Sequence, residues 1–148
     1  MDYEQYEKEC EKIRKENEKL LSEFEGWLYR KNLSKRTVDK HLRNIDFYIN
    51  EYLLYEEPLE AFFGAVKVGM FLVYWFIKKA MWASQSQIKE NATSLKKFYL
   101  FMYEKGLIEW ELYEDMVEEI KENMPEWLAT MARYDDPTIT DPEKIWFG

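Results

Sequence analysis

The stretch Ser84–Gly106, SQSQIKENATSLKKFYLFMYEKG, has the periodicity of one amphipathic helix. Its apolar residues recur every three or four positions, the spacing that builds one helical face. Ser84 or Ser86 is suited to cap the start of the helix, and Gly106 its end. The apolar face, which we expect to lie in a core, contains Ile88, Ala92, Leu95, Phe98, Tyr99 and Met102.

The opposite face of this predicted helix is polar and mostly basic. Leu100 and Phe101 also lie toward that side, so the last turns are apolar all round. We expect either that another helix packs over these two residues or that they form an exposed interface. The polar residues of the face are Ser86, Lys89, Glu90, Thr93 and Lys97.

The N-terminal 30 residues predict a long helix with a heptad-like seam, because apolar residues alternate steps of three and four. We expect the seam to pack on its own domain, and a coiled-coil homodimer is the alternative. Asn17 fills one seam position, and an Asn there can fix helix register. The other seam residues are Tyr3, Tyr6, Cys10, Ile13, Leu20, Phe24 and Trp27.

Ser34 is a good N-cap for a second helix, predicted over Lys35 to about Leu53. Its core face has Val38, Leu42, Ile45, Ile49 and Tyr52. The opposite face has Arg36, Lys40, Arg43 and Phe47. Three cations in line with an aromatic residue are suited to a phosphate backbone. The alternative is a solvated face on which Phe47 packs against a neighbour.

Between these helices lie an acidic connector, residues 54–64, and a third helix, about residues 66–83. We expect Phe62 and Phe63 of the connector to enter the core. The third helix is apolar on nearly every side, which predicts a central position.

After Gly106 the pattern predicts a helix over about residues 110–123 and a short helix that begins near Pro125. We expect residues 134–148 to form an extended tail, because their two Asp-Pro steps oppose helix. We expect Ile145, Trp146 and Phe147 to dock on the domain or on a partner.

The composition of the 148 residues predicts one all-α domain over residues 1–133. Apolar residues are 47% of the chain, which is enough to form a hydrophobic core. With only 5 Gly and 4 Pro, the chain has few residues that interrupt helices. The expected fold is a compact orthogonal bundle of four core helices with one or two C-terminal helices. A single cysteine, a charged N-terminus and the lack of a membrane-length apolar run predict a reduced, cytoplasmic protein that binds no membrane.

Few patterns in the chain indicate catalysis. One histidine (His41) and one cysteine (Cys10) cannot build a His/Cys metal site, and no Gly-rich phosphate loop is present. We therefore expect no metal, no cofactor and no enzymatic activity. His41 lies at the margin of the second helix's core face, and we expect it to be structural.

The net charge of −8 is unevenly distributed. Residues 24–50 sum to +3 and residues 67–105 to +5, whereas residues 106–148 sum to −9. A basic surface on an acidic protein is one outcome. The other is that acidic residues such as Glu118, Glu122 or Asp135 cover the basic helices.

Two motifs in the chain resemble the N-terminal SAM-like (core-binding) domain of phage integrases and other tyrosine site-specific recombinases. One is Ser94-Leu95-Lys96-Lys97-Phe98-Tyr99 followed by Gly106-Leu107-Ile108. The other is the helix end and turn from Trp27 to Val38 with its Ser-x-x-Thr start. The resemblance covers about residues 18–108 and includes no residue of that family's catalytic domain.

The resemblance implies a DNA-binding module without catalytic activity, with double-stranded DNA as its partner. Gln87 or Asn91 would reach a base edge. The alternative is a protein-interaction module that keeps the fold and binds through the first helix's seam, Leu100 and Phe101, or the C-terminal tail. The implied DNA surface consists of Lys35, Arg36, Lys40, Arg43, Ser86, Gln87, Lys89 and Lys97.

Overall fold

A computed structural model describes residues 2–75 and 84–134 of the chain. These residues form an all-α bundle and contain no strand. The second half of the predicted third helix and the tail with Ile145, Trp146 and Phe147 lie outside the described residues. The long helices are α1 (Tyr3–Arg30), α2 (Lys35–Phe47), α4 (Gln85–Glu104) and α5 (Trp110–Tyr134), with a three-residue helix α3 (Val68–Met70) between α2 and α4.

Helix α1 runs unbroken through Gly26 and packs its seam against the chain itself. The Asp2 side chain caps the helix by accepting the Gln5 N–H at 2.8 Å. Seam residue Asn17 is buried and donates to the backbone carbonyl of Ile49 at 3.2 Å and to Oδ1 of Asn50 at 2.8 Å. Seam residue Asn17 therefore pairs with the segment that follows α2, whereas seam residues Phe24 and Trp27 lie against α4.

Helix α2 begins at the predicted N-cap, because the Ser34 hydroxyl accepts the Thr37 N–H. A π-helical turn, Tyr48–Tyr52, continues it, so the helical segment ends close to the predicted residue. Val38, Ile45 and Ile49 are buried, as their spacing predicts.

The connector contradicts the prediction that Phe62 and Phe63 enter the core. A 3₁₀ helix over Ala61–Val66 leaves their side chains 38% and 50% exposed. The side that faces the core is built from small residues, including Gly64, because two buried tyrosine hydroxyls hold the backbone close. Tyr48 donates to the Gly64 carbonyl at 2.5 Å and Tyr99 to the Ala61 carbonyl at 2.7 Å.

The described part of the third predicted helix is also less buried than expected. It consists of α3 and a π-helical turn, Phe71–Trp75. Phe71 and Leu72 are fully buried, but the Met70 side chain is 56% exposed. This segment therefore has an outer face, which its nearly continuous apolar sequence did not indicate.

Helix α4 matches its prediction closely. Ser84 caps its start, Gly106 follows its end with a φ of +83°, and all six predicted core residues are buried. Phe101 is only 5% exposed because α1 covers it: its ring lies 5.5 Å from that of Phe24 and 6.1 Å from that of Trp27. The alternative of an exposed interface is wrong for Phe101, and Leu100 is partly buried against the same core.

Residues 110–134 form one helix, α5, where two were predicted. Pro125 lies inside it and removes one backbone N–H donor. The apolar stripe nevertheless continues on both sides of the proline, through Met116, Ile120, Trp127 and Met131, which are all buried. Burial of this stripe stabilises a continuous helix despite the missing hydrogen bond. No helix of the described ranges is long and apolar enough to cross a membrane.

Candidate nucleic-acid interface

A polar network joins α2 to α4 beneath the predicted DNA surface. Nδ1 of His41 lies 2.7 Å from Oγ of Ser94, and Asn44 donates to the same Oγ at 3.0 Å. Asn44 also donates to Oε2 of Glu90 at 2.9 Å, and Nζ of Lys40 lies 3.0 Å from Oε1 of Glu90. Lys40 and Asn44 are four residues apart and lie on one face of α2. Glu90 and Ser94 have the same spacing on α4, and the network forms because these two faces meet.

Positive charge from both helices reaches the buried histidine in this network. Burial lowers the pKa of His41, and the charges of Lys97 and Lys40 lower it further. Glu90 acts in the opposite direction. Lys97 of α4 and Lys40 of α2 therefore both act on this one buried side chain.

The partners of Glu90 favour the ionised form of its carboxyl group. Partial burial alone would raise the pKa of its carboxyl group, but hydrogen bonds from Asn44 and Lys40 and the charge of Lys40 outweigh burial and lower the pKa. The carboxylate therefore stays charged between the two helices at neutral pH.

The four predicted cations of α2 share one surface hollow of about 570 Å³, together with Asp39. Two of them have a carboxylate partner: Lys35 lies 3.0 Å from Asp39, and Lys40 is paired with Glu90. Arg36 and Arg43 are exposed and form no ion pair with any residue in the described ranges. These two guanidinium groups are therefore available to an external anion.

A second hollow, of about 540 Å³, lies between α2 and α4. It brings Lys40 and Arg43 together with Gln87. Its lining also includes three carboxylates and several amide and aromatic side chains, of which Phe47 and Asn91 were expected at this surface from the sequence. These further residues are Asn44, Asp46, Phe47, Glu51, Glu90 and Asn91.

Three predicted site residues lie apart from both hollows. Ser86 is exposed, and its Oγ lies 3.2 Å from that of Ser84 at the helix start. Lys89 is exposed on α4. Lys97 is partly buried and lies close enough to His41 to act on its pKa. The predicted surface thus divides into a compact centre, formed by the α2 cations and Gln87, and three further residues on α4.

The acidic residues of α5 do not cover the α2 cations in the described part of the chain. Glu118 and Glu122 are exposed, and neither forms an ion pair with Arg36, Lys40 or Arg43. Asp135, the third residue considered for this role, lies outside the described residues. The carboxylate that reaches Lys40 comes instead from Glu90 of α4.

Comparison of the chain with models of known families, with curated proteins and with solved structures finds no match. Among the residues that the structure describes, no group of His, Cys, Asp and Glu side chains is arranged to hold a metal ion. The described surface presents guanidinium and ammonium donors around a groove with amide and carboxylate groups.

Proposed function

We propose that this chain is a non-catalytic DNA-binding module that contacts the phosphate backbone of duplex DNA through α2 and the N-terminal half of α4. The resemblance of its motifs to the core-binding domain of tyrosine recombinases supports this proposal. The all-α bundle is compatible with it.

The observation that carries the proposal is the pair Arg36 and Arg43. They are two turns apart on one face of α2, they border the same hollow, and neither has a carboxylate partner in the described ranges. Guanidinium groups bind phosphate through two parallel hydrogen bonds. Neither guanidinium group has to break an ion pair with a described residue before it binds a phosphate, so both are available for adjacent phosphates.

Gln87 is the residue that we propose contacts a base. It is half-buried at the edge of the hollow that contains Arg43, and its side chain has no hydrogen bond to the described residues. An amide can donate and accept at the same time, which matches the edge of adenine in the major groove. Asn91 is less suited because it is buried and its Nδ2 donates to the Gln87 carbonyl at 2.9 Å.

Binding of a short labelled duplex, followed by fluorescence anisotropy over a salt series, tests this function. The Arg36→Glu/Arg43→Glu variant should lose binding while its circular dichroism stays that of the wild type. The matched control is Lys12→Glu/Lys121→Glu, which makes the same change of net charge at exposed positions of α1 and α5. If both variants bind equally, the α2 surface is not the DNA site.

The alternative function is protein binding, and one observation favours it. Phe62 and Phe63 are both exposed and their rings lie 4.2 Å apart, which is an unusual amount of apolar surface for a short connector. A Phe62→Ala/Phe63→Ala variant should bind duplex DNA like the wild type. Loss of DNA binding in this variant, with Arg36 and Arg43 intact, would count against the α2 surface.

A further inference from the structure

We infer that Glu90 lowers the affinity of the DNA surface for the phosphate backbone, because it holds Lys40 away from phosphate. This inference rests on the proposed function. It identifies which of the predicted cations are active: Arg36 and Arg43 contact phosphates, whereas Lys40 is neutralised within the protein.

The geometry fixes Glu90 on Lys40. One carboxylate oxygen, Oε1, lies 3.0 Å from Nζ of Lys40, and the other, Oε2, accepts from Asn44 at 2.9 Å. Asn44 is itself held by its hydrogen bond to Ser94. Both oxygens therefore have a partner on α2, and a rotation that takes the carboxylate away from Lys40 also disturbs its hydrogen bond to Asn44.

The pair differs from the other ion pair of this surface in its solvent exposure. The side chains of Lys40 and Glu90 are 42% and 21% exposed, whereas those of Lys35 and Asp39 are 82% and 40% exposed. Water and salt weaken an exposed pair within one helix. A phosphate can therefore displace Asp39 from Lys35 more readily than it can displace Glu90 from Lys40.

The carboxylate also acts on a nearby phosphate directly. Glu90, Asp46 and Glu51 line the hollow that contains Arg43 and Gln87. Three negative groups oppose entry of a phosphate into this hollow and favour a ligand group with hydrogen-bond donors, such as a base amino group. Phosphate contacts are thus disfavoured inside this hollow.

Glu90→Gln isolates this effect, because glutamine has nearly the same shape and its carbonyl can still accept from Asn44. Loss of the negative charge releases Lys40 as one further phosphate contact. The log–log slope of duplex affinity against salt should then steepen by about 0.9, the value for one phosphate. At low salt the affinity should rise about tenfold, which corresponds to one charge-assisted hydrogen bond.

The experiment is a double-mutant cycle with wild type, Glu90→Gln, Lys40→Met and the double variant, each bound to the same labelled duplex over a salt series. The gain from Glu90→Gln should disappear in the Lys40→Met background. Asp39→Asn is the matched control, since it removes one negative charge from the same surface, and its gain should be clearly smaller.

Two outcomes overturn the inference. An equal gain from Glu90→Gln with and without Lys40, or an equal gain from Asp39→Asn, would mean that only net charge matters. A loss of binding in Glu90→Gln would mean that the pair positions Lys40 for DNA. In both cases wild-type binding that depends on Arg36 and Arg43 leaves the proposed function intact, whereas absence of wild-type binding at low salt removes the proposed function itself.

Discussion

The imidazole Nδ1 of His41 lies 2.7 Å from the hydroxyl oxygen of Ser94, in the buried boundary between α2 and α4. His41 is 5% exposed and Ser94 is fully buried. The same hydroxyl accepts from Asn44, so one small network links the helix that carries Arg36 and Arg43 to the helix that carries Gln87. The network therefore supplements the apolar packing between the two helices.

Stability should fall as the pH is lowered from about 7 to 5, because of His41. Burial, Lys97 and Lys40 lower its pKa in the folded protein, and Glu90 opposes them only in part. The unfolded chain binds this proton with an ordinary pKa of about 6.5. Below that pH the unfolded state therefore binds more protons than the folded state. The stabilisation from neutral His41 is complete above pH 6.5 and is lost progressively as the pH falls toward the lowered pKa of His41 in the folded protein.

Urea unfolding of the wild type and of His41→Gln at several pH values between 5 and 7.5 measures this effect. His41 is the only histidine of the chain, so the variant should lose most of the pH dependence in this range. Glu90, whose pKa is lowered, contributes its own loss only at more acidic pH. If the free energy of unfolding had the same pH dependence in both proteins, His41 would not be the group responsible.

Truncation of Phe101 should be one of the most destabilising changes in α4. Its ring contacts those of Phe24, Phe98 and Trp27 in the boundary with α1. We expect Phe101→Ala to lower the free energy of unfolding by about 3–5 kcal/mol, the usual cost for a buried aromatic residue. Phe62→Ala, at an exposed phenylalanine, is the control and should cost far less. Similar losses in thermal or urea unfolding of the two variants would be inconsistent with this packing.

Removal of the Tyr99 hydroxyl should destabilise the protein without creating a large cavity. The group is fully buried and donates to the Ala61 carbonyl at 2.7 Å, and burial raises its pKa well above the usual value, so it remains a donor. Tyr99→Phe leaves that carbonyl without its partner, at a cost of about 1–3 kcal/mol. Tyr103→Phe, at an exposed tyrosine, should be nearly neutral in the same unfolding experiment.

Alanine should have opposite effects at two glycines. A methyl group at Gly64 would collide with the Tyr99 hydroxyl and come within 2.9 Å of Leu53 and Tyr48, so Gly64→Ala should destabilise the fold strongly. At Gly26, inside α1, the nearest atom would be the flexible end of Arg30 at 3.3 Å. Gly26→Ala should therefore stabilise the protein by about 0.5–1 kcal/mol. Thermal unfolding of both variants tests these two predictions, and destabilisation by Gly26→Ala would contradict the second.

The helical face of α4 could be predicted because its six core residues follow the helical period without exception. The same reasoning failed for Phe62 and Phe63, since hydrophobicity does not report how close the backbone comes to the core. In this connector Tyr48 and Tyr99 bind the backbone itself, and the large side chains point outward. The prediction that a helix begins near Pro125 is wrong because the burial of apolar residues on both sides of the proline stabilises one continuous helix.

Part of the candidate site was also accessible from sequence. The spacing along α2 identified Arg36, Lys40 and Arg43 as one stripe, and these residues do share a hollow. That Glu90 pairs with Lys40 could not be predicted, because it depends on which stripes of two separate helices face each other. A carboxylate of α4, and not the acidic C-terminal region, turned out to be the partner of an α2 cation in the described part of the chain.

The salt dependence of duplex binding tests the central claim most directly. For the wild type we predict a log–log slope of about −0.9 for each phosphate contacted, hence near −2 or steeper if Arg36 and Arg43 each contact one. The Arg36→Glu/Arg43→Glu variant should show no measurable binding, while the Lys12→Glu/Lys121→Glu control retains the wild-type slope. No binding by the wild type even at low salt would contradict the account, and the bundle would then have another partner.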